Sequence, residues 1–289
     1  MRIVRFAREG KAALGILNRD KVVDLTSLRS GAPTDIGEVL EAYGSQGLEA
    51  LAAAAASAPS SATRAVDGLN FLPPVSRPGK IVCLGLNYVD HAAEGGHAKP
   101  TYPSFFYRGS SSLIGHRAPI VRPPCSTQLD YECELVAIVG RKARHVKQAD
   151  ALAYIAGYSC FNDATIRDYQ RKTGQWTIGK NFDGTGAFGP WFVSADELPP
   201  GANGLKISTR LNGQTMQSAV TSDMLFPVAE TIAILTECMT LEPGDLIVMG
   251  TPAGVGYARK PPVWMKAGDV VEVEIENIGV LSNPIADEA

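Results

Sequence analysis

Long apolar runs are missing from this chain. None of its 289 residues sits in a stretch approaching the roughly 20 that span a bilayer, and charges follow Met1-Arg2-Ile3-Val4-Arg5 too soon for a signal-peptide core. A cytoplasmic location is the resulting expectation. Cysteine is sparse: Cys83, Cys125, Cys133, Cys160 and Cys238 form neither an even set nor a Cys-x-x-Cys pair, which argues against disulfide staples and cysteine-held zinc. Positive charge is not in excess either. With 27 Lys and Arg against 30 Asp and Glu the formal net charge is −3, so there is no footprint for nucleic acid or an anionic membrane. The familiar nucleotide and nucleophile motifs also fail. Gly250 to Gly256 lacks the Gly-Lys-Ser/Thr of a P-loop, and no G-x-S-x-G occurs. Gly184 to Gly189 fits G-x-G-x-x-G, yet no apolar strand precedes it and Pro190-Trp191 stand where a helix should open. No internal repeat is found.

What remains is an ordinary globular composition, 45% hydrophobic, enough for one large domain or a large and a small one. Arg2 to Phe6, Ala13 to Leu17 and Lys21 to Leu25 read as short strands, and Ile36 to Tyr43 and Gly47 to Ala56 as helical stretches. These define a small N-terminal α/β domain, residues 1–72. A linker-like break at Ser57 to Ala62 and the Pro73-Pro74 step lead into a larger domain, residues 73–289. That domain is mostly β with some α, with Leu205 to Leu211, Asp245 to Met249 and the alternating Val270 to Ile275 as strands. Phe226 to Met239 is its amphipathic helix.

The chemistry concentrates between Leu129 and Gly140. Side chains alternate along a strand, so Glu132 and Glu134 share a face and Cys133 turns away into the core. Two converging carboxylates repel unless solvated, protonated or bound to a cation, and hard divalent ions take oxygen ligands of this kind. An arbitrary Glu-x-Glu is a solvated strand edge about ten times as often, so a third ligand is required. Asp163 is the candidate, at the junction of an apolar-aromatic strand and a helix-like stretch where an N-cap is the structural alternative. Arg167 and Gln170 follow it at helical spacing, on the same expected helix face; an ion pair with Asp163 would be the plain role for Arg167. Lys180 is either a surface charge or, in a closed site, a point charge for a developing enolate or oxyanion.

These residues resemble the fumarylacetoacetate hydrolase family. The resemblance rests on Asp130-Tyr131-Glu132-Cys133-Glu134-Leu135, on Gly157-Tyr158 with Asn162-Asp163 and Arg167-Asp168, on Gly179-Lys180-Asn181-Phe182-Asp183, on Thr221-Ser222-Asp223-Met224 and on Gly250-Thr251-Pro252-x-Gly254-Val255-Gly256. The order and rough spacing of five blocks agree over about residues 78 to 285, far more specific than any one block. The resemblance implies a mixed β-sandwich or β-roll catalytic domain and a homodimer using Mg²⁺ or Mn²⁺ on C–C bonds beside a 2-oxo acid. It maps the metal ligands onto Glu132, Glu134 and Asp163 and the substrate-polarising lysine onto Lys180. Arg167, Gln170 and Thr251 would face the substrate.

A further block, Asn87 to Gly96, puts His91 and Glu94 one helical turn apart before two glycines. A carboxylate that orients an imidazole raises its basicity and fixes its tautomer, as a water-activating base requires. In related acylpyruvate hydrolases a His-x-x-Glu on a mobile lid does this, and the segment looks like that lid. The sequence departs from the family at Tyr107-Arg108-Gly109-Ser110, where relatives usually carry lysine and proline; Arg108 is expected to meet a substrate carboxylate. The expected reaction is hydrolysis of a 1,3-dioxo acid to pyruvate and a carboxylic acid. Oxaloacetate decarboxylation and keto–enol isomerisation of a 2-oxo diacid are the alternatives, and a non-catalytic 2-oxo acid binder is a third. His97, His116 and His145 have no ligand spacing, so surface or packing roles are expected; Glu272 and Glu274 lack companions and are expected on a solvated strand face.

Overall fold

The structure, a computed structural model, describes every residue except Arg29, Ser30 and His97; the expectation for His97 therefore lies outside the described residues. Twelve strands form one mixed sheet, with the order Thr63–Ala65, Lys21–Asp24, Lys11–Asn18, Arg2–Arg8, Gly186–Ser194, Ile155–Asp163, Cys133–Val139, Leu246–Val248, Ile81–Gly85, Ser104–Tyr107 along its main path. A second sheet runs Gln214–Val220, Lys206–Leu211, Val270–Ile275, Gly279–Asp287, Ile120–Arg122. The chain is mostly β with some α, as its alternating patterns predict.

The N-terminal strands extend the large sheet: Arg2 pairs with Val193 and Ile3 with Phe192. Ile3, Leu14 and Ile36 share a core with Val136, Phe161 and Phe188, so residues on both sides of position 72 bury one another. A larger core, including Leu135, Tyr158, Ile232 and Val273, fills the space between the sheets and helix Val228–Cys238. The two expected N-terminal helices are present within Ile36–Ala56, separated by a non-helical kink at Gly44 (φ 55, ψ −141). That backbone conformation is open to glycine and strained for a side-chain-bearing residue. Glu272 and Glu274 do have a companion: Arg210, one strand away, reaches both, with Nε 2.9 Å from Glu272. The second Glu-x-Glu is a surface ion-pair cluster.

His116 is buried, edge-on to Phe71 at 4.7 Å, and its Nδ1 accepts the Ser282 N–H at 3.0 Å. Burial, then Arg117, pushes its pKa down to about 4. The unfolded chain binds this proton near 6.5, so the stability tied to neutral His116 is present above that pH and lost as pH falls towards 4. The loss is roughly 3 kcal/mol at most. Melting temperatures of wild type and His116→Asn between pH 7 and pH 4 should converge as the wild type loses more; parallel curves would contradict this account.

Candidate active site

Strand Cys133–Val139 is buried along its whole length, paired with Ile155–Asp163 on one side and Leu246–Val248 on the other. A strand covered on both faces reads as a continuous apolar run, so charge is tolerated at its end. Glu134 lies at that end and Glu132 immediately before it. Antiparallel pairing of Cys133 with Asn162 brings Asp163 beside Glu132, whose carbonyl accepts the Asp163 N–H at 3.0 Å. Carboxylate oxygens of Glu132, Glu134 and Asp163 lie within 4.8 Å of one another, all three residues buried. Sheet register, not a helix face, assembles the third acid. Asp163 ends a strand, two extended residues follow, and the helix spans just Arg167–Gln170. The expected Asp163–Arg167 pair gives way to contacts of Arg167 with Asp130 (2.8 Å) and Glu132 (2.6 Å).

Lys180 is 2% exposed, so the surface reading fails. Its Nζ lies 2.6 Å from Glu132 Oε2 and 2.5 Å from Asp163 Oδ2. Helix Thr177–Lys180 delivers it by packing against Arg167–Gln170, where a Cβ on Gly179 would fall 2.4 Å from the Gln170 nitrogen. Only glycine permits that approach. Burial disfavours the Lys180 ammonium, but Asp163 and Glu132 outweigh it and hold its pKa above the ordinary value. Burial likewise pushes Glu132 up, while Arg167, Lys180 and His91 bring it down to about 2. Glu134 goes the other way: burial, Asp163 and Glu132 raise it well above the carboxylate range, with Lys180 and the Gly250 N–H opposing.

Four carboxylates, Asp130 included, thus meet three fixed cations, Arg108, Arg167 and Lys180, and Glu134, the acid left without a cation of its own, is the one that burial and its neighbours drive to hold a proton. Three hard oxygen donors with a charge deficit are what a divalent Mg²⁺- or Mn²⁺-like ion fits. This trio is the one cluster of three or more acidic, His or Cys ligands among the described residues.

A cavity of about 400 Å³ opens onto Glu132 and Glu134 of the trio. All the site residues expected from the sequence line it except Asp163, Arg108 and Glu94. His91 stands in its wall on helix Val89–Glu94, with Nδ1 2.9 Å from Glu94 Oε1. Glu94 is itself fixed by the Gly254 N–H, at 3.0 and 3.1 Å from its two oxygens. Asn87, buried at the foot of this helix, bonds the Phe226 and Met249 carbonyls and the Phe226 N–H. Gln170 accepts from Arg167 Nη1 at 3.0 Å, and Thr251 accepts from Gln217 at 2.8 Å.

Arg108 corrects an expectation. Its guanidinium is fully buried behind Asp163, donating to that carboxylate at 2.5 Å and to Thr185 at 2.8 Å. It holds a candidate ligand in place and does not line the cavity. Asp130, to which the sequence motif assigns no role, accepts from Tyr131, Gly256 and Tyr257 N–H groups and from Arg167. Its i, i+2 spacing from Glu132 was the available sign. Tyr257 and Arg171, both in the cavity wall, carried no such pattern.

A family model described as fumarylacetoacetate (FAA) hydrolase C-terminal matches residues 80–286. The chain is 43% identical over 218 residues to the mitochondrial oxaloacetate tautomerase Fahd2a of Rattus norvegicus, covering 75% of this chain and 69% of that protein. The solved structure of a fumarylacetoacetate hydrolase from psychrophilic Exiguobacterium antarcticum superposes with a TM-score of 0.85 at 35% identity, covering 100% of both chains. Maleylpyruvate hydrolase from Sphingobium sp. SYK-6 does so with a TM-score of 0.82 at 27% identity, again over 100% of both.

Proposed function

Because the chain belongs to the fumarylacetoacetate hydrolase family, we propose that it is a divalent-metal-dependent enzyme interconverting the keto and enol forms of an oxaloacetate-type 2-oxo acid. The observation that carries this is His91 in the wall of the same cavity as Glu132, Glu134 and Lys180, its imidazole oriented by Glu94. Glu132, Glu134 and Asp163 would hold the ion, which when bound polarises the 2-oxo group and favours the enolate. His91 carries one proton between the carbon beside that group and the 2-oxo oxygen, from carbon to oxygen for enolisation and from oxygen to carbon for ketonisation. Glu94 fixes the imidazole tautomer and stabilises its protonated form. The Lys180 ammonium and Gln170 amide face the charge that develops on oxygen, and Arg167 receives the substrate carboxylate. Arg167 is suited to this: its buried guanidinium lines the cavity with Nη2 2.6 Å from Glu132, a planar charged donor set of the kind that binds carboxylates.

The tautomerase named among the relatives moves this reading ahead of the hydrolysis expected from sequence. Hydrolysis of a 1,3-dioxo acid remains the second reading, favoured by the His91–Glu94 pair, which would take its proton from water in place of carbon. A homodimer is carried over from the family resemblance alone. The cytoplasmic expectation stands beside the mitochondrial description of the rat relative; no helix among the described residues is long and apolar enough to cross a membrane.

The test follows the ultraviolet absorbance of oxaloacetate enol and of an acylpyruvate with purified protein and Mg²⁺ or Mn²⁺, before and after EDTA. Metal-dependent ketonisation of oxaloacetate without pyruvate is the expected result. Acylpyruvate cleavage to pyruvate and a carboxylic acid as the faster reaction would establish hydrolysis instead, and inertness toward both would defeat the enzymatic reading.

A further inference from the structure

Tyr257 sits beneath two guanidinium groups. Arg167 lies 4.6 Å and Arg171 4.3 Å from its ring centroid, and all three residues line the cavity. Through that shared centroid the two guanidinium carbons are no more than 8.9 Å apart. The roles of the two arginines differ. Arg167 is buried and engaged with Asp130, Glu132 and Gln170. Arg171 is exposed at the cavity wall, and no carboxylate of the described residues lies within 4.0 Å of it. A flexible, charged side chain with no acidic partner is ordinarily free in solvent. Here it is docked on an aromatic face whose own backbone is pinned, the Tyr257 N–H donating to Asp130 Oδ2 at 3.0 Å. Cation–π docking of this kind lowers the entropy of holding the guanidinium in place. Arg171 also terminates helix Arg167–Gln170, one residue past Gln170, so the helix that presents Arg167 to the inner end of the cavity presents Arg171 beside it.

Building on the 2-oxo acid reading above, we infer that Arg171, docked on Tyr257, is a specificity-determining residue that receives the second carboxylate of a compact 2-oxo dicarboxylate. One anionic end goes to the inner site near Arg167 and Lys180. The other accepts charge-assisted hydrogen bonds of about 2.8 Å from the Arg171 fork. A 2-oxo monoacid fills the inner site but leaves Arg171 unused, so the residue discriminates by charge at the distal end without touching the reacting carbon.

The experiment is calorimetric binding, with Mg²⁺ saturating, of 2-oxoglutarate as diacid and 2-oxobutanoate as monoacid to wild type, Arg171→Gln, Arg171→Lys and Tyr257→Leu. The wild type should favour the diacid at least tenfold. Arg171→Gln should abolish that preference while leaving monoacid affinity within about twofold, Arg171→Lys should restore part of it, and Tyr257→Leu should fall between. A wild type without diacid preference, an Arg171→Gln protein that keeps it, or equal weakening of both ligands would overturn the assignment. Turnover of oxaloacetate enol is measured separately: diacid preference in a protein that turns over no enol would defeat the tautomerase reading and leave the role of Arg171 standing.

Discussion

Replacing His91 by Asn should lower kcat for enol–keto conversion by about 10²- to 10⁴-fold, the range a positioned general acid–base contributes. His91 is the imidazole of the cavity wall, which it shares with carboxylates, cations, hydroxyls, the Gln170 amide and apolar side chains. Its neighbours are not tied to its ring for support: Glu94 keeps both bonds from the Gly254 N–H, and the helix foot keeps the Asn87 network. Metal affinity and melting temperature should therefore change little in His91→Asn. Glu94→Gln should cost less, since an amide oxygen still accepts from Gly254 while its charge no longer favours the imidazolium. Single-turnover rates, with Mn²⁺ titrations as control, check both. Unchanged turnover in His91→Asn would remove it from the mechanism, and lost metal binding would make it a structural residue.

The sequence makes parts of this site legible and hides others for physical reasons. Strand alternation alone places Glu132 and Glu134 on one side, and the turn before two glycines pairs His91 with Glu94. Asp163 is different, because its meeting with Glu132 depends on pairing Cys133 with Asn162 across the sheet. Periodicity within a segment carries no information about register between segments; the family resemblance supplied that ligand. The helix-face reading of Asp163, Arg167 and Gln170 fails because Thr165–Ile166 pairs with Leu129–Asp130 before the helix begins, yet its last step holds, with Arg167 and Gln170 bonded across one turn. Arg108 was misplaced because burial is a tertiary outcome: the charge that looks like a ligand hook is consumed by Asp163. Glu272 and Glu274 repeat the Glu-x-Glu pattern and differ from the buried pair by what the neighbouring strand brings, Arg210 instead of a third acid, Asp163.

That difference in surroundings separates two substitutions that remove metal equally. Glu134→Gln should weaken Mn²⁺ binding at least ~100-fold, beyond the 10- to 100-fold typical of losing an outer-shell partner. Metal-free, however, the variant should be as stable as wild type or more so. Glu134 is buried against Asp163 and Glu132, and the Gly250 N–H that it accepts at 2.5 Å can be accepted by a glutamine oxygen. Because its folded pKa is raised, the metal-free wild type binds more protons folded than unfolded. The stability from protonated Glu134 is complete below the unfolded value and lost as pH rises through the folded one, a decline Glu134→Gln should lack. Glu132→Gln should abolish metal binding as well but destabilise the metal-free protein by roughly 3–5 kcal/mol, since buried Arg167 and Lys180 lose their shared counter-charge. Glu132 is held down to about 2, so in the wild type that contribution is present above the unfolded carboxylate range and disappears as pH falls towards 2. Calorimetric Mn²⁺ titration and melting of EDTA-treated proteins from pH 5 to 8 check the pair. Tight Mn²⁺ binding by either variant would refute its place as a ligand. A metal-free Glu134→Gln protein melting well below wild type would show that repulsion among the three acids is not what the metal relieves.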